Sequence, residues 1–451
     1  MTVDLGDHYV GYFSFTMGWV DMFIDAPVRL KVNFYETEAE LDYSAPPRDD
    51  SISLSWIQEE IINIDYPGEY KMPRRYAARY IKIEVLASPK KLTLSGFKFT
   101  AVTSADESAL DALDNEDKEL VKIDEVASKT LKNCMHRVFE DGPKRDRRLW
   151  TGDLRLQALV NYHTFKNNAL VRRCLYLFAA ARRNGAGFLP GFLYEYPEYE
   201  SGYWFLQDYA LLFAAALCDY YRHTRDAFFF EELYPVAKSQ LDAMHENLDE
   251  DGITKFAEGS DIFIDWCPGL SKITSMHGVY LYVLDAVADT LSLLGHGDEK
   301  IYRQRYKKGV EDAKAILFDS KMARFVNKKD SFQFSVHSCV WMILSGVVSG
   351  DEGKRMLLDS LESKESLKAV TPYMNHYLVE AMIKLGMKEL AIKHIKDYWG
   401  GMIALGADTF YEVHIHDDPY FSPYKGNYPL NSMCHAWSCT PAYFIRSGML
   451  E

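Results

Sequence analysis

The apolar positions of this chain change period near residue 104. Before it they alternate. VRLKVNFYE (28–36), RYIKIEVLA (79–87) and LTLSGFKFTAV (92–102) put an apolar side chain at about every second position, the pattern of half-buried strands. PPRDD (46–50), YPG (66–68) and SPKK (88–91) supply the turns between them. Residues 1–104 are therefore predicted to form an all-β sandwich or jelly-roll domain of seven or eight short strands. SADESALDALDNEDKELVKID (104–124) is acidic, with few turn residues. Residues 105–125 read as a linker helix.

From 126 to 451 the apolar spacing is helical. WFLQDYALLFAAALCDYYRHT (204–224), GVYLYVLDAVADTLSLLGHG (278–297) and PYMNHYLVEAMIKLG (372–386) are typical runs, and LRLQALVNYHTFKNNALVRRCLYLFAAARRNG (154–185) makes one or two helices. With SMCHAWSCTPAYFIRSG (432–448) as the last, about twelve helices follow one another in pairs with Gly-rich connections. Twelve paired helices either close into an (α/α)6 toroid or open into a solenoid. Nothing repeats at 34–47 positions as solenoid units do. The connections are also unequal: 185–203 and 406–431 are long and aromatic, and long loops on a helical scaffold tend to carry function. The expected architecture is a closed toroid whose loops form one cleft.

Composition narrows the function. With 51 basic and 65 acidic residues the formal charge is −14, which disfavours a nucleic-acid partner. Aromatics reach 14%, with 30 Tyr and 8 Trp; they build either a large core or a cleft that stacks rings against sugar faces. Seven cysteines include no CxxC pair. Cys134, Cys174, Cys218, Cys339 and Cys439 fall in apolar helical runs and are expected as buried free thiols. The start MTVDLGDHYVGYF has no basic region ahead of an apolar core, so a cytoplasmic location is expected, or a periplasmic or secreted one for a trimmed chain. No apolar run is long enough for a membrane span.

Candidate chemistry lies in clusters on the predicted connections. DGPKRDRRLWTGD (141–153) carries Asp141, Arg145, Asp146, Trp150 and Asp153. Asp153 can be a plain helix N-cap, Asp146 between Arg145 and Arg147 a surface ion pair, and Asp141 a loop acid. Together they also read as a polar, ring-bearing loop that grips a glycoside. GADTFYEVHIHDD (406–418) carries Glu412 with His414 and His416. An HxH pair suggests metal, but no third ligand is spaced to join it, so no metal or other cofactor is expected. A strand is the simpler reading, with Glu412, His414 and His416 on one face. ESGYWFLQDY (200–209) adds Trp204 and Asp208, FIDWCPGL (263–270) adds Asp265 and Trp266, and SMCHAWSCTPAYF (432–444) adds His435 and Trp437. Separate loops that each pair an acid or His with an aromatic point to sugar binding.

These residues resemble the α-L-rhamnosidases of glycoside hydrolase family 78. DGPKRDRRLWTGD is similar to the family's D-x-P-x-R-E/D…W-T-G-D signature, GADTFYE to its G-A-T-T-x-W-E, and HAWSCTPAYFI to a His-Gly-Trp-Ser…Pro-Ala-Tyr-Phe-Leu ending in part of the family. The resemblance covers about 126 to the end and extends plausibly over the β-domain. It implies an (α/α)6 catalytic domain and inverting hydrolysis of terminal α-L-rhamnosides. It places the general acid on Asp146, where most members have Glu, and the general base on Glu412. Asp141, Asp153 and His435 would hold sugar hydroxyls, and Trp150, Trp204 and Trp266 would pack against the ring and its C6 methyl. Arg145, Asp208, Asp265 and Trp437 complete the substrate-binding set. The family's usual C-terminal β-sandwich is not expected, since the chain stops after the last helix. The competing readings are a toroidal glycosidase for another sugar and a carbohydrate-binding protein with impaired catalysis. The partner is a carbohydrate in each case, and oligomeric state is not legible.

Overall fold

The computed structural model describes residues 1–20, 26–43, 52–195 and 197–451. The PPRDD turn lies outside the described residues. The N-terminal domain contains β1 (Thr2–Trp19), β2 (Val28–Tyr35), a short helix α1 (Glu38–Asp42), β3 (Glu59–Ile64), β4 (Gly68–Lys71), β5 (Tyr76–Ala87) and β6 (Leu92–Ala101). All pairings are antiparallel, in the order β3-β2-β5-β1-β4 with β6 also on β1. The long β1 serves three partners: β5 through Gly11, β4 from Ser14 to Met17, and β6 from Gly11 to Trp19. Six strands are present among the described residues, where seven or eight short ones were expected. The inward set, Phe13, Phe15, Val28, Leu30, Val32, Phe34, Ile81 and Ile83, makes a separate core.

The helical domain holds α2 (Lys118–Cys134), α3 (Thr151–His163), α4 (Asn168–Ala179), α5 (Gln207–Thr224), α6 (Ala227–Glu246), α7 (Ile273–Leu294), α8 (Glu299–Ile316), α9 (Val336–Leu344), α10 (Gly350–Glu362), α11 (Pro372–Lys384), α12 (Lys388–Ala404) and α13 (Pro441–Arg446). α3, α5, α7, α9 and α11 pack in succession, and residues 436–446 close the ring between α11 and α3. α4, α6, α8, α10 and α12 each back the inner helix before them in the chain, and α2 backs α13. The sequence dictates which ring a helix joins. α9 (VHSCVWMIL) is buried at every position, as suits a helix surrounded by others. α8 (EKIYRQRYKKGVEDAKAI) buries only Tyr302, Gly309 and Ala313 and faces solvent with the rest. Among the described residues, no helix is long and apolar enough to cross a membrane.

Two expectations are corrected. The linker is not a helix over 105–125. It has one 3-10 turn (Glu107–Ala109), irregular chain, and then α2, which starts at Lys118 and runs through residue 125. Its Asp side chains turn on their own backbone: Asp106 accepts from Ser108 N, and Asp117 from Glu119 N and Leu120 N. Such local bonds compete with helix and favour caps. The final run is α-helical only from Pro441, after one 3-10 turn (Ala436–Ser438), because Ala436 N donates to Asp141 O and His435 N to Phe410 O, which ties the preceding backbone to other loops. All seven cysteines are free, and the five expected to be buried are so.

Candidate active site

The cleft lies at the ends where α3, α5 and α7 begin. α2 ends at Cys134, and the chain then folds back on itself: Asp141 N donates to Arg148 O, and Arg148 N to Asp141 Oδ1 at 3.0 Å. The turn needs left-handed backbone at Asp146 (φ 64°) and Arg147 (φ 53°); aspartate tolerates that region better than most residues. Leu149–Trp150 pairs with Phe192–Leu193, and α3 starts directly after. Asp153 is thus the third residue of the helix, not its N-cap, and sits where the helix dipole favours negative charge. Gly152 lets α3 and α5 approach closely, since a Cβ there would stand 2.4 Å from the Tyr209 ring.

The cavity is about 830 Å³. It brings together Asp141, Arg145, Asp146, Trp150, Asp153, Trp204, Asp265, Trp266, Glu412, His435 and Trp437 from segments hundreds of residues apart. Two aromatic groups stand in it. Trp150 lies 4.5 Å from Phe192 and 6.1 Å from Trp204; Trp266 lies 5.4 Å from Trp437 and 5.7 Å from Tyr424. Asp208 is not in the lining: its buried carboxylate accepts from Phe263 N and Ile264 N and holds that loop. Asp265 lines the cleft, yet its oxygens accept from Trp266 N, Val370 N, Thr371 N and Thr371 Oγ1 and contact His337 Nε2 at 2.7 Å. Both acids position backbone.

Arg145 is the hub. Nη2 donates to Glu412 Oε1, Nη1 lies 3.5 Å from Asp146 Oδ2, Nε donates to Leu430 O, and the Tyr424 ring sits 4.5 Å from its carbon. Glu412 and Asp146 thus sit at two nitrogens of one guanidinium. The Glu412 side chain is 2% exposed, against 15% for that of Asp146, so one carboxylate is enclosed and the other reaches toward solvent. Glu412 also accepts from Tyr424 OH at 2.6 Å and Ser432 N at 2.9 Å. The expected strand at 406–418 is absent. Glu412 is held by Ser432, while His414 turns to the Tyr398 ring.

Burial raises the Glu412 carboxyl, but the Arg145 guanidinium beside it, with the bond from Ser432 N, outweighs burial and holds it below its ordinary value. Asp141 is pushed well up by burial and by Asp146 and Asp153; Asp153 is pushed well up by burial and by Glu412 and Asp146, partly offset by its own backbone bond. Burial lowers His435 to about 3 although Glu412 pulls the other way. His435 Nδ1 and Asp153 Oδ1 are both buried without protein partners, 3.8 Å apart. That spacing suits one hydroxyl that donates to the carboxylate and contacts the ring nitrogen. The arrangement can thus hold a polar ring between aromatic walls, with two carboxyls at one guanidinium beside it.

Sequence reasoning missed Tyr424, Tyr209, Arg148 and the N-terminal residues Ile52, Ser53 and Trp56, all of which line the cleft. Tyr424 lies in the aromatic 406–431 connection, Arg148 within DGPKRDRRLWTGD, and Tyr209 within ESGYWFLQDY, whereas Ile52, Ser53 and Trp56 carry no local signal of a site. Among the described residues, no cluster of three His, Cys, Asp or Glu is arranged to hold a metal.

Replacing Asp153 by asparagine is expected to raise the melting temperature at neutral pH and to abolish most turnover. The folded pKa of Asp153 lies above its unfolded value, so the unfolded chain ionises first as pH rises and native stability falls through that window. Asparagine does not titrate. The gain should therefore vanish below about pH 3.8, where both states of Asp153 are protonated. Melting curves from pH 3 to 8 test this; a gain independent of pH would contradict it.

Residues 1–104 match the family model described as the glycosyl hydrolase family 78 alpha-rhamnosidase N-terminal domain, and 111–449 match the bacterial alpha-L-rhamnosidase 6 hairpin glycosidase domain. A rhamnosidase from Klebsiella oxytoca, solved with rhamnose bound, is 38% identical with a TM-score of 0.93, over 99% of this chain and 87% of that one. A family 78 rhamnosidase of Bacillus sp. GL1 shares the fold at 22% identity and a TM-score of 0.84, over 99% of this chain and 46% of its own. An α-L-rhamnosidase of Streptomyces avermitilis complexed with L-rhamnose does so at 16% and 0.70, over 98% and 41%. No curated protein matches.

Proposed function

This chain belongs to glycosyl hydrolase family 78, the α-L-rhamnosidases, and we propose that its cleft removes terminal α-L-rhamnose from glycosides by inverting hydrolysis. The observation that carries the mechanism is the pair of carboxylates at one guanidinium, one enclosed and one partly open. Inversion needs an acid to protonate the leaving oxygen and a base to activate water on the opposite face. Glu412, held ionised by Arg145, suits the base; Asp146, nearer solvent, suits the acid. Asp141 and Asp153 hold sugar hydroxyls, the latter with His435. Trp150, Trp204 and Trp266 pack against the ring and its methyl, while Trp437, whose Nε1 donates to Glu412 O, steadies the base. The rhamnose found in the Klebsiella oxytoca relative supports the choice of sugar.

The test is NMR of the first product from an aryl α-L-rhamnoside. β-L-Rhamnose should appear before mutarotation; release of the α anomer would overturn inversion. Parallel aryl deoxyhexosides and an unsaturated uronide should be turned over far more slowly, and equal turnover would overturn the choice of sugar.

A further inference from the structure

We infer that Glu36 and Glu40 of the N-terminal domain are positioning residues for hydrolysis, acting through Lys144 and the backbone of residues 430–433. This inference rests on the acid–base reading above.

The acid loop and the base are laced to one short stretch of chain. Arg145 Nε donates to Leu430 O at 2.9 Å, and Lys144 Nζ donates to Asn431 O at 2.9 Å. The next residue, Ser432, donates its N–H to Glu412 Oε2 and accepts from Glu412 N at Ser432 O, both at 2.9 Å. The one after, Met433, donates its N–H to Glu36 Oε2 at 2.6 Å. Neighbouring amides of one strand of chain thus hold the base on one side and a glutamate of the other domain on the other.

The N-terminal domain closes this frame from behind. Lys144 bonds Glu40 Oε1 and lies 3.7 Å from Glu36 Oε2. Glu40 Oε2 accepts from Glu36 N and Thr37 N, which caps α1 and fixes both carboxylates. Glu36 Oε1 contacts His8 Nε2 at 3.1 Å, while the Asn133 amide on α2 donates to His8 Nδ1 at 2.9 Å and so leaves Nε2 as the donor to Glu36. Each charged member is nearly sealed: Glu36 is 1% exposed, Lys144 3% and Glu40 4%. Buried charges held by several bonds have few alternative arrangements. The frame therefore sets where Asp146, two residues from Lys144, stands relative to Glu412. Neither glutamate lines the cleft, so their effect should fall on the chemical step rather than on sugar binding.

Glu36→Gln and Glu40→Gln keep size and put an NH2 where an acceptor is needed, by Met433 N or His8 for the first and by Lys144 for the second. A misplacement on the order of 1 Å costs about 100-fold in rate, so kcat on an aryl α-L-rhamnoside should fall about 10- to 100-fold. KM and L-rhamnose binding by calorimetry should stay within about twofold, and near-UV circular dichroism should be unchanged. A folded variant with wild-type kcat, or one altered in KM alone, would overturn the inference. So would loss of the near-UV signature in both variants, which would make the cluster a folding element. Wild-type protein is the control. If it fails to turn over the rhamnoside, the acid–base reading falls and this inference with it; active wild type with equally active variants defeats this inference alone.

Discussion

Glu412→Gln is expected to lose roughly 10²- to 10⁴-fold in kcat, the usual worth of a positioned general base, while still binding L-rhamnose. Glutamine fills the same space and can still accept from Ser432 N, but it cannot take a proton from water. The variant also removes the carboxylate that faces buried Arg145. Asp146 and Tyr424 remain beside the guanidinium, so the loss of stability should be smaller than the roughly 3–5 kcal/mol of an orphaned buried charge. The pH dependence gives a second signature. Glu412 is depressed in the folded state, so its stabilisation is complete above its unfolded pKa and is lost as pH falls through the folded one. Wild type should therefore lose stability below about pH 4.5 more steeply than the variant. Unchanged kcat, or a large loss of rhamnose affinity with kcat retained, would remove Glu412 from the base role.

What the sequence disclosed and what it hid separate along one physical line. Asp141, Arg145, Asp146, Trp150 and Asp153 lie within thirteen residues, so a single local turn and the start of α3 bring them to one place. Glu412, His435 and Trp437 were legible as acids, His and rings on long connections. Asp208 and Asp265 carried the same mark but do other work, because the amides they satisfy come from residues 263–264 and 370–371. No local pattern tells a carboxylate that caps distant backbone from one that meets a ligand. The contribution of Ile52, Ser53 and Trp56 was hidden for a related reason: it depends on how the sheet domain docks on the toroid, fixed in part by the Arg75–Glu140, Arg79–Asp408 and Lys129–Asp7 pairs. Helix identity was readable because burial on all sides or on one side sets composition directly, whereas the acidic linker was misread because Asp at 106 and 117 caps backbone rather than extending helix.

Asp146→Asn is expected to separate substrates by leaving group. Natural rhamnosides depart as alkoxides and need a proton, so their kcat should fall roughly 10²- to 10⁴-fold. Activated aryl rhamnosides leave as stable phenolates and should lose far less. Asparagine also suits the left-handed backbone at φ 64°, so the fold should survive. The Arg145–Glu412 contact does not involve Asp146, so the base stays in place and the loss can be assigned to protonation alone. Asp146→Glu gives the complementary measurement. It keeps the acid one methylene longer but puts a residue less tolerant of left-handed backbone there, at a cost of about 1 kcal/mol. Its melting temperature should drop slightly while turnover of natural substrates stays well above that of the asparagine variant. Equal losses on aryl and natural substrates in Asp146→Asn, or a glutamate variant as inactive as the asparagine one, would move the acid role to another carboxyl in the cleft, with Asp141 and Asp153 the nearest candidates because burial already raises both.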